Sequence, residues 1–302
     1  MESGTPLLLE RTFVTSDGYD LPLRVWPAAG RERAVVLALH GFNDYSNGID
    51  WPADYWARYG ITTYAYDQRG FGAGPRAGLW GGEGALARDA RDMARLLRRR
   101  HPDRPLFLFG ESMGGAIAIA ALADGRAPEV DGLILVAPAV WARSTMNPLY
   151  RLTLWLAAHT FPGQTLTGRG LGIRPSDNIE MLRAFSRDPL VIKETRIDAI
   201  WGLVNMMDLG LERAAALHGV PTLILYGDRD ELIPKTPIER MLARMPNAPR
   251  VGRYPSGFHM LTRDLQAPLV WQDALDWMLN PDRPLPSGFE TWRRPLYQMP
   301  AR

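Results

Sequence analysis

The chain of 302 residues contains no cysteine. That excludes disulfides, thiolate metal sites and a cysteine nucleophile, and leaves the compartment open. Long apolar runs are also missing. No window approaches the ~18 residues of a membrane-spanning helix. Near the start only Leu7–Leu9 are consecutively apolar, with no basic stretch before them, too short a run for a signal-peptide core. A soluble cytoplasmic protein is the expectation. Charge of one sign is scarce as well: the formal balance is +2. The densest basic run, Arg95-Leu-Leu-Arg-Arg-Arg100, has no interleaved aromatics. It reads as a helix C-terminus, where cations suit the dipole, and not as a nucleic-acid surface. Histidine is rare, with five in all: His40, His101, His159, His218 and His259.

What is present is a rhythm. The continuous apolar runs VVLAL (35–39), ITTYAY (61–66), LFLF (106–109), LILVAP (133–138) and TLILY (222–226) are aliphatic and β-branched without alternating. Strands buried on both faces read this way. Segments of helical composition lie between and after them at 83–100, 113–124, 237–245 and 267–279. Residues 10–27 read as two short strands around the turn signal Ser16-Asp17-Gly18. The alternation predicts an α/β fold: a mostly parallel sheet with helices on both faces. The rhythm stops between 142 and 215, where Trp, Met, Leu and Pro fill helical and loop-like segments. The expected division is a core of 1–141 with 216–279, a mainly helical insertion at 142–215, and a Pro- and Arg-rich tail at 280–302 on the surface or partly disordered.

One short stretch carries chemistry. Gly110-Glu111-Ser112-Met113-Gly114 follows the LFLF run and opens the small-residue segment GGAIAIAALA. A sharp strand-to-helix turn strains the residue at its tip, and side chains two positions away on either side would clash. That is the mechanical reason for G-x-S-x-G. Ser112 is then a candidate nucleophile, which needs a base and a group to orient the base. In the chain order serine, acid, histidine, the base is His259 in SGFHML. The loop after TLILY offers Asp228, Asp230 and Glu231. Asp230 is favoured as the acid. Asp228 is expected to satisfy the turn or to pair with Arg229. Two backbone N–H groups would receive an oxyanion: Met113, which follows the serine, and Phe42, after the strand end VVLALHG. His40 is read as bracing that loop.

These blocks resemble the α/β-hydrolase fold, and within it the monoacylglycerol lipase and lysophospholipase-like group. HGFND is similar to the oxyanion loop and YDQRGFGAGP to the D-x-R-G-x-G-x-S block, with Gly74 where serine is usual. GESMGG is similar to the elbow, YGDRDELIP to the acid loop and YPSGFHML to the histidine loop. RDPLVIKETRI (187–197) resembles a block of that group's cap. The likeness runs from about residue 12 to about 279. It implies no cofactor and no metal, a cap over an apolar acyl pocket, and hydrolysis of lipid esters. General carboxylesterase and prolyl-type aminopeptidase chemistry run on the same scaffold. Glu180, Glu194 and Asp198 in the insertion keep the peptidase reading open. A non-catalytic binding protein of this fold is the remote alternative.

In the insertion, Leu149, Tyr150, Leu152, Leu154, Trp155, Leu156 and Phe161 are apolar nearly all round one helix. Either this helix packs within the insertion, the default, or its outer face meets a lipid surface as a peripheral membrane contact, with Arg143 and Arg151 near lipid phosphates. Trp201, Leu203, Val204, Met206, Met207 and Leu209 read first as core filling. No motif speaks to the oligomeric state.

Overall fold

A computed structural model describes residues 4–125, 127–168, 170 and 172–292. The chain opens with short antiparallel strands β1 (Leu7–Leu8), β2 (Thr12–Val14) and β3 (Asp20–Trp26), the last two joined through the Asp17-Gly18 turn. The parallel part follows. Strand β4 (Ala34–Leu39) leads through helix α1 (Asp50–Ala57) to β5 (Ile61–Tyr66). Helix α2 (Glu83–Arg100) leads to β6 (Leu106–Glu111), and α3 (Met113–Leu122) to β7 (Gly132–Val136). The sheet is therefore built from the apolar runs, and Arg98–Arg100 close the last turn of α2.

Between β7 and its sheet neighbour β10 (Thr222–Gly227) the chain leaves the sheet. This excursion holds α4 (Pro148–Thr160), β8 (Thr165–Thr167), α5 (Ile179–Arg187), β9 (Glu194–Arg196) and α6 (Ile197–Arg213). Strands β8 and β9 pair antiparallel as a separate two-stranded ribbon. TLT and ETR are too short and polar to announce themselves as strands. Helix α7 (Lys235–Arg244), strand β11 (Arg250–Tyr254) and helix α8 (Ala267–Leu279) complete the alternation. The ten-stranded sheet runs β1-β2-β3-β5-β4-β6-β7-β10-β11-β12, where β12 is Glu290–Trp292.

Two cores sandwich the sheet, and strand pleating sorts residues between them. Val35, Leu37 and Leu39 pack with α2, α3, α6 and α7. Ala34, Val36 and Ala38, one residue out of step, pack with α1 and α8. Burial on both faces explains why the runs are continuous. Helix α6 approaches α3 closely, since a Cβ on Gly210 would stand 3.1 Å from that of Ala116. Val204, Met206 and Met207 of α6 are buried, whereas α4 buries none of its residues.

Arg250 of the strand RVGRY faces Glu290 of β12 in a two-bond fork of 3.0 and 2.7 Å, and Val251 and Tyr254 of the same strand are buried. One feature differs from the sequence-based expectation. The segment 280–292 does more than lie on the surface. β12 pairs antiparallel with β11, and Leu285 is buried in the core with α8. Residues 293–302 lie outside the described residues. Burying one leucine is worth about 1.5–3 kcal/mol. Removal of residues 280–302 is therefore expected to lower the unfolding free energy by about 2 kcal/mol or more. Urea denaturation measures this, and a surface tail would leave the midpoint unchanged.

Candidate active site

The chain runs from β4 outward to β5 on one side and then to β6 on the other. The crevice at the carboxyl ends of β4 and β6 is thus a topological switch point, where ligands bind in open α/β sheets. Ser112 stands at the end of β6 and the segment His40–Phe42 at the end of β4.

Ser112 has φ 53° and ψ −116°, in the left-handed half of the map where non-glycine residues are strained. Its N–H donates to Val136 O at 2.9 Å, and its carbonyl accepts from Ala139 N–H at 2.9 Å. The turn is therefore pinned to β7 and the residues after it. The glycines are steric necessities. A Cβ on Gly110 would lie 2.5 Å from Gly114 O, one on Gly114 would collide with Leu39 O, and one on Gly115 would lie 2.9 Å from Pro138 Cβ. Met113 begins α3, so its N–H has no intrahelical acceptor.

The Ser112 hydroxyl donates to His259 Nε2 at 2.9 Å, and His259 Nδ1–H donates to Asp230 Oδ2 at 2.8 Å. The other carboxylate oxygen, Asp230 Oδ1, accepts from Leu232 N–H at 2.8 Å and Ile233 N–H at 2.9 Å. These bonds aim the carboxylate at the imidazole. Burial pushes the His259 imidazole down, but the charge and hydrogen bond of Asp230 and the charge of Glu111 push it up against the opposing Arg263. The net result lies above the ordinary histidine value. Asp228 does not pair with Arg229. It pairs with Arg253 of β11, the strand that runs parallel beside β10. Glu231 accepts from Arg174 N–H at 2.8 Å.

The other histidines are occupied elsewhere. His101 bonds Glu32 at 2.8 Å and Tyr64 at 3.0 Å, His159 stacks on Trp155, and His218 is exposed. His40 is buried, and burial lowers its pKa. Gln68 N–H donates to His40 Nε2 at 2.9 Å, so the proton sits on Nδ1, which donates to Gly41 O at 2.8 Å. In a trans peptide the N–H points opposite to the C=O. By holding the Gly41 carbonyl, His40 therefore fixes the Phe42 N–H in the opposite direction. Gly41 lies against the Ser112 turn: a Cβ there would stand 3.5 Å from Ser112 Cβ.

Segments of the 142–215 excursion grip both loops. Ser176 Oγ–H donates to Asp264 Oδ1 at 2.6 Å, and Asp264 Oδ2 accepts from Phe258 N–H, next to His259, at 2.7 Å. Burial raises the Asp264 carboxyl to about 6. On the other side, Tyr45 O–H donates to Asp188 Oδ2 at 2.7 Å, and Asn43 Nδ2 donates to Thr195 Oγ1 at 2.7 Å. Sequence reasoning missed these braces. Their one visible trace is that Asp44, Tyr45, Arg263 and Asp264 flank the oxyanion and histidine blocks. Arg143 is not free for lipid phosphate, because it pairs with Asp208, bonds Asn205 at 2.8 Å and covers the Trp201 ring at 4.0 Å. Among the described residues no group of three or more His, Cys, Asp or Glu could hold a metal ion, and no helix is long and apolar enough to cross a membrane.

Sheet, crevice and Ser–His–Asp geometry are those of a serine hydrolase built on an α/β sheet. A model of the family described as serine aminopeptidase, S33, matches residues 30–266. The chain belongs to this family, and within the α/β-hydrolases it is monoacylglycerol lipase-like. A monoacylglycerol lipase of Mycolicibacterium smegmatis is 27% identical over 289 residues, covering 90% of this chain and 97% of its own. A monoglyceride lipase of Rattus norvegicus is 27% identical, with 83% and 84% covered. The solved monoglyceride lipase of Saccharomyces cerevisiae superposes with a TM-score of 0.70 at 20% identity, covering 91% of this chain and 94% of its own.

His40→Ala frees the Gly41 carbonyl. On the reading of the Phe42 N–H as an oxyanion donor, it is expected to lower kcat by about 10-fold or more with little change in KM. Steady-state kinetics on a soluble ester measure both.

Proposed function

We propose that the protein hydrolyses carboxylic esters of lipids, monoacylglycerols first among them, through a Ser112–His259–Asp230 triad. The observation that carries the reading is the unbroken hydrogen-bond line from the Ser112 hydroxyl through His259 to Asp230. Ser112 Oγ attacks the ester carbonyl carbon as its proton passes to His259 Nε2. Asp230 holds the imidazole and stabilises the imidazolium. The carbonyl oxygen becomes an oxyanion facing the N–H groups of Phe42 and Met113. His259 then protonates the departing alkoxide, leaving an acyl-enzyme. Water attacks that ester with His259 again taking the proton, and the fatty acid leaves as Ser112 regains its hydrogen. In this reading the 142–215 segment is the cap over the acyl pocket.

The peptidase reading draws on the name of the family, serine aminopeptidase, and on acidic residues that would hold a substrate amine. Asp198 is already held by Arg196, at 3.0 and 2.5 Å, and Glu180 and Glu194 are exposed. Ester chemistry is favoured. The relatives named as monoacylglycerol lipases support the substrate class.

Ser112→Ala is expected to fold normally and to lose both turnover and labelling by a fluorophosphonate. A panel of p-nitrophenyl esters of rising chain length, monoacylglycerol, lysophosphatidylcholine and a proline amide then sorts the substrates. Monoacylglycerol turnover supports the proposal, and activity confined to the amide would sink it.

The outer face of α4 is exposed and apolar: Leu149 62%, Tyr150 60%, Leu152 54%, Trp155 48% and Leu156 48%. Patches of this kind mark interaction surfaces. We read this one as the face that meets the lipid aggregate holding the substrate, with Arg151 exposed beside it. Leu149→Ser with Trp155→Ser should weaken co-sedimentation with anionic vesicles several-fold. It should leave hydrolysis of a short soluble ester intact. Unchanged sedimentation excludes this role for α4.

A further inference from the structure

The triad leaves one buried carboxylate beside the nucleophile without a task. Glu111 immediately precedes Ser112 and is 3% exposed. Its Oε1 accepts from Thr262 Oγ1–H at 3.1 Å. Its Oε2 faces Arg263 Nη2 at 3.9 Å and has no hydrogen-bond partner. Arg263 Nη2 donates to Asp44 Oδ2 at 2.6 Å. The guanidinium also lies over the ring of Phe185 in α5 at 5.4 Å, and the Arg263 carbonyl accepts from Asn178 Nδ2 at 3.1 Å. Gly48 leaves room for the pair, since a Cβ there would lie 2.6 Å from Asp44 Oδ2 and 3.5 Å from Arg263 Cζ.

Arg263 thus joins four pieces of the site, its own loop and three others. Asp44 belongs to the oxyanion loop, Glu111 to the nucleophile strand, Arg263 itself to the histidine loop, and Phe185 and Asn178 to the cap. Stability does not account for the cluster. Buried ion pairs stabilise little against apolar packing of equal volume. Here two carboxylates share one guanidinium, and Arg263 Nε and Glu111 Oε2 are buried without hydrogen-bond partners. Such departures from polar satisfaction concentrate at functional sites.

We propose that Arg263 is a positioning residue for the hydrolysis: it sets the register of the oxyanion loop against the histidine loop and keeps Glu111 a compensated carboxylate behind His259. The inference rests on the triad reading above. The charged groups acting on His259 are Asp230 and Glu111, which raise its pKa, and Arg263, which lowers it. Burial raises Glu111 itself, and Arg263 opposes that rise. His259 works as a base only when neutral, so activity falls as pH drops through its pKa. Removing Glu111 while keeping Arg263 lowers that pKa and moves the acid limb to lower pH.

The test is kcat, KM and the pH profile of kcat/KM on p-nitrophenyl butyrate, with thermal unfolding of each variant. Arg263→Met is expected to lower kcat by about 10-fold or more with KM little changed, because small displacements of reacting groups cost rate. Arg263→Lys, which can still reach Asp44, should recover part of the loss. Asp44→Asn, should Arg263→Met not fold, carries the register half and should also lower kcat. Glu111→Gln should shift the acid limb down. Wild-type kcat in folded Arg263→Met or Asp44→Asn overturns the proposal, and so does an unmoved acid limb in Glu111→Gln. Failure of the triad reading is a separate result, read from turnover by Ser112→Ala.

Discussion

The backbone at Ser112 is turned into a conformation that L residues avoid, and the site is arranged around that turn. Several contacts hold it at once: the Ser112 N–H on Val136 O, its carbonyl on Ala139 N–H, and three glycines packed where no side chain fits. Strain of order 1–3 kcal/mol persists only where its surroundings over-determine it. What the strain secures is direction. The hydroxyl stands at the carboxyl ends of β4 and β6, within hydrogen-bond reach of a histidine 147 residues further along the chain.

Around that turn the polar groups follow one logic. Each loop that could wander is tied by a side chain to something stiffer. His40 ties the loop after β4 to the residues after β5 through Gln68. Asp230 is tied by the N–H groups of its own loop. Asp264 ties the residue before His259 to Ser176. Reacting groups gain most from such prior ordering, because nothing then has to reorganise as charge develops.

The 142–215 segment combines two opposite surfaces. Its inner edge is polar and fastened to the site loops through Asp188, Thr195 and Ser176. Its outer helix α4 is apolar and bare. The composition of α4 admits either packing or exposure, since a helix apolar all round carries no marker of which face is covered. Only its neighbours decide. α6, also rich in apolar residues, takes the place against α3 and leaves α4 outside.

Much was legible in consecutive residues. Continuous apolar runs mark strands buried on both faces, and the glycines of GESMGG mark a turn that nothing bulkier can make. Chain order pointed to His259 among the five histidines, and His259 is the one hydrogen-bonded to Ser112. These are constraints a short segment imposes on itself, so a short segment records them. The ribbon of TLT with ETR and the strand β12 were not legible, because their pairing depends on partners elsewhere. The ion cluster is the clearest case: Arg263 and Asp44 are 219 residues apart. Each alone reads as a solvated surface charge. Only the closing of the sheet buries them together against Glu111. The sequence by itself determined the α/β alternation and the strained serine turn. The tertiary structure decided which distant charges share a low-dielectric interior, because burial and proximity belong to the whole fold.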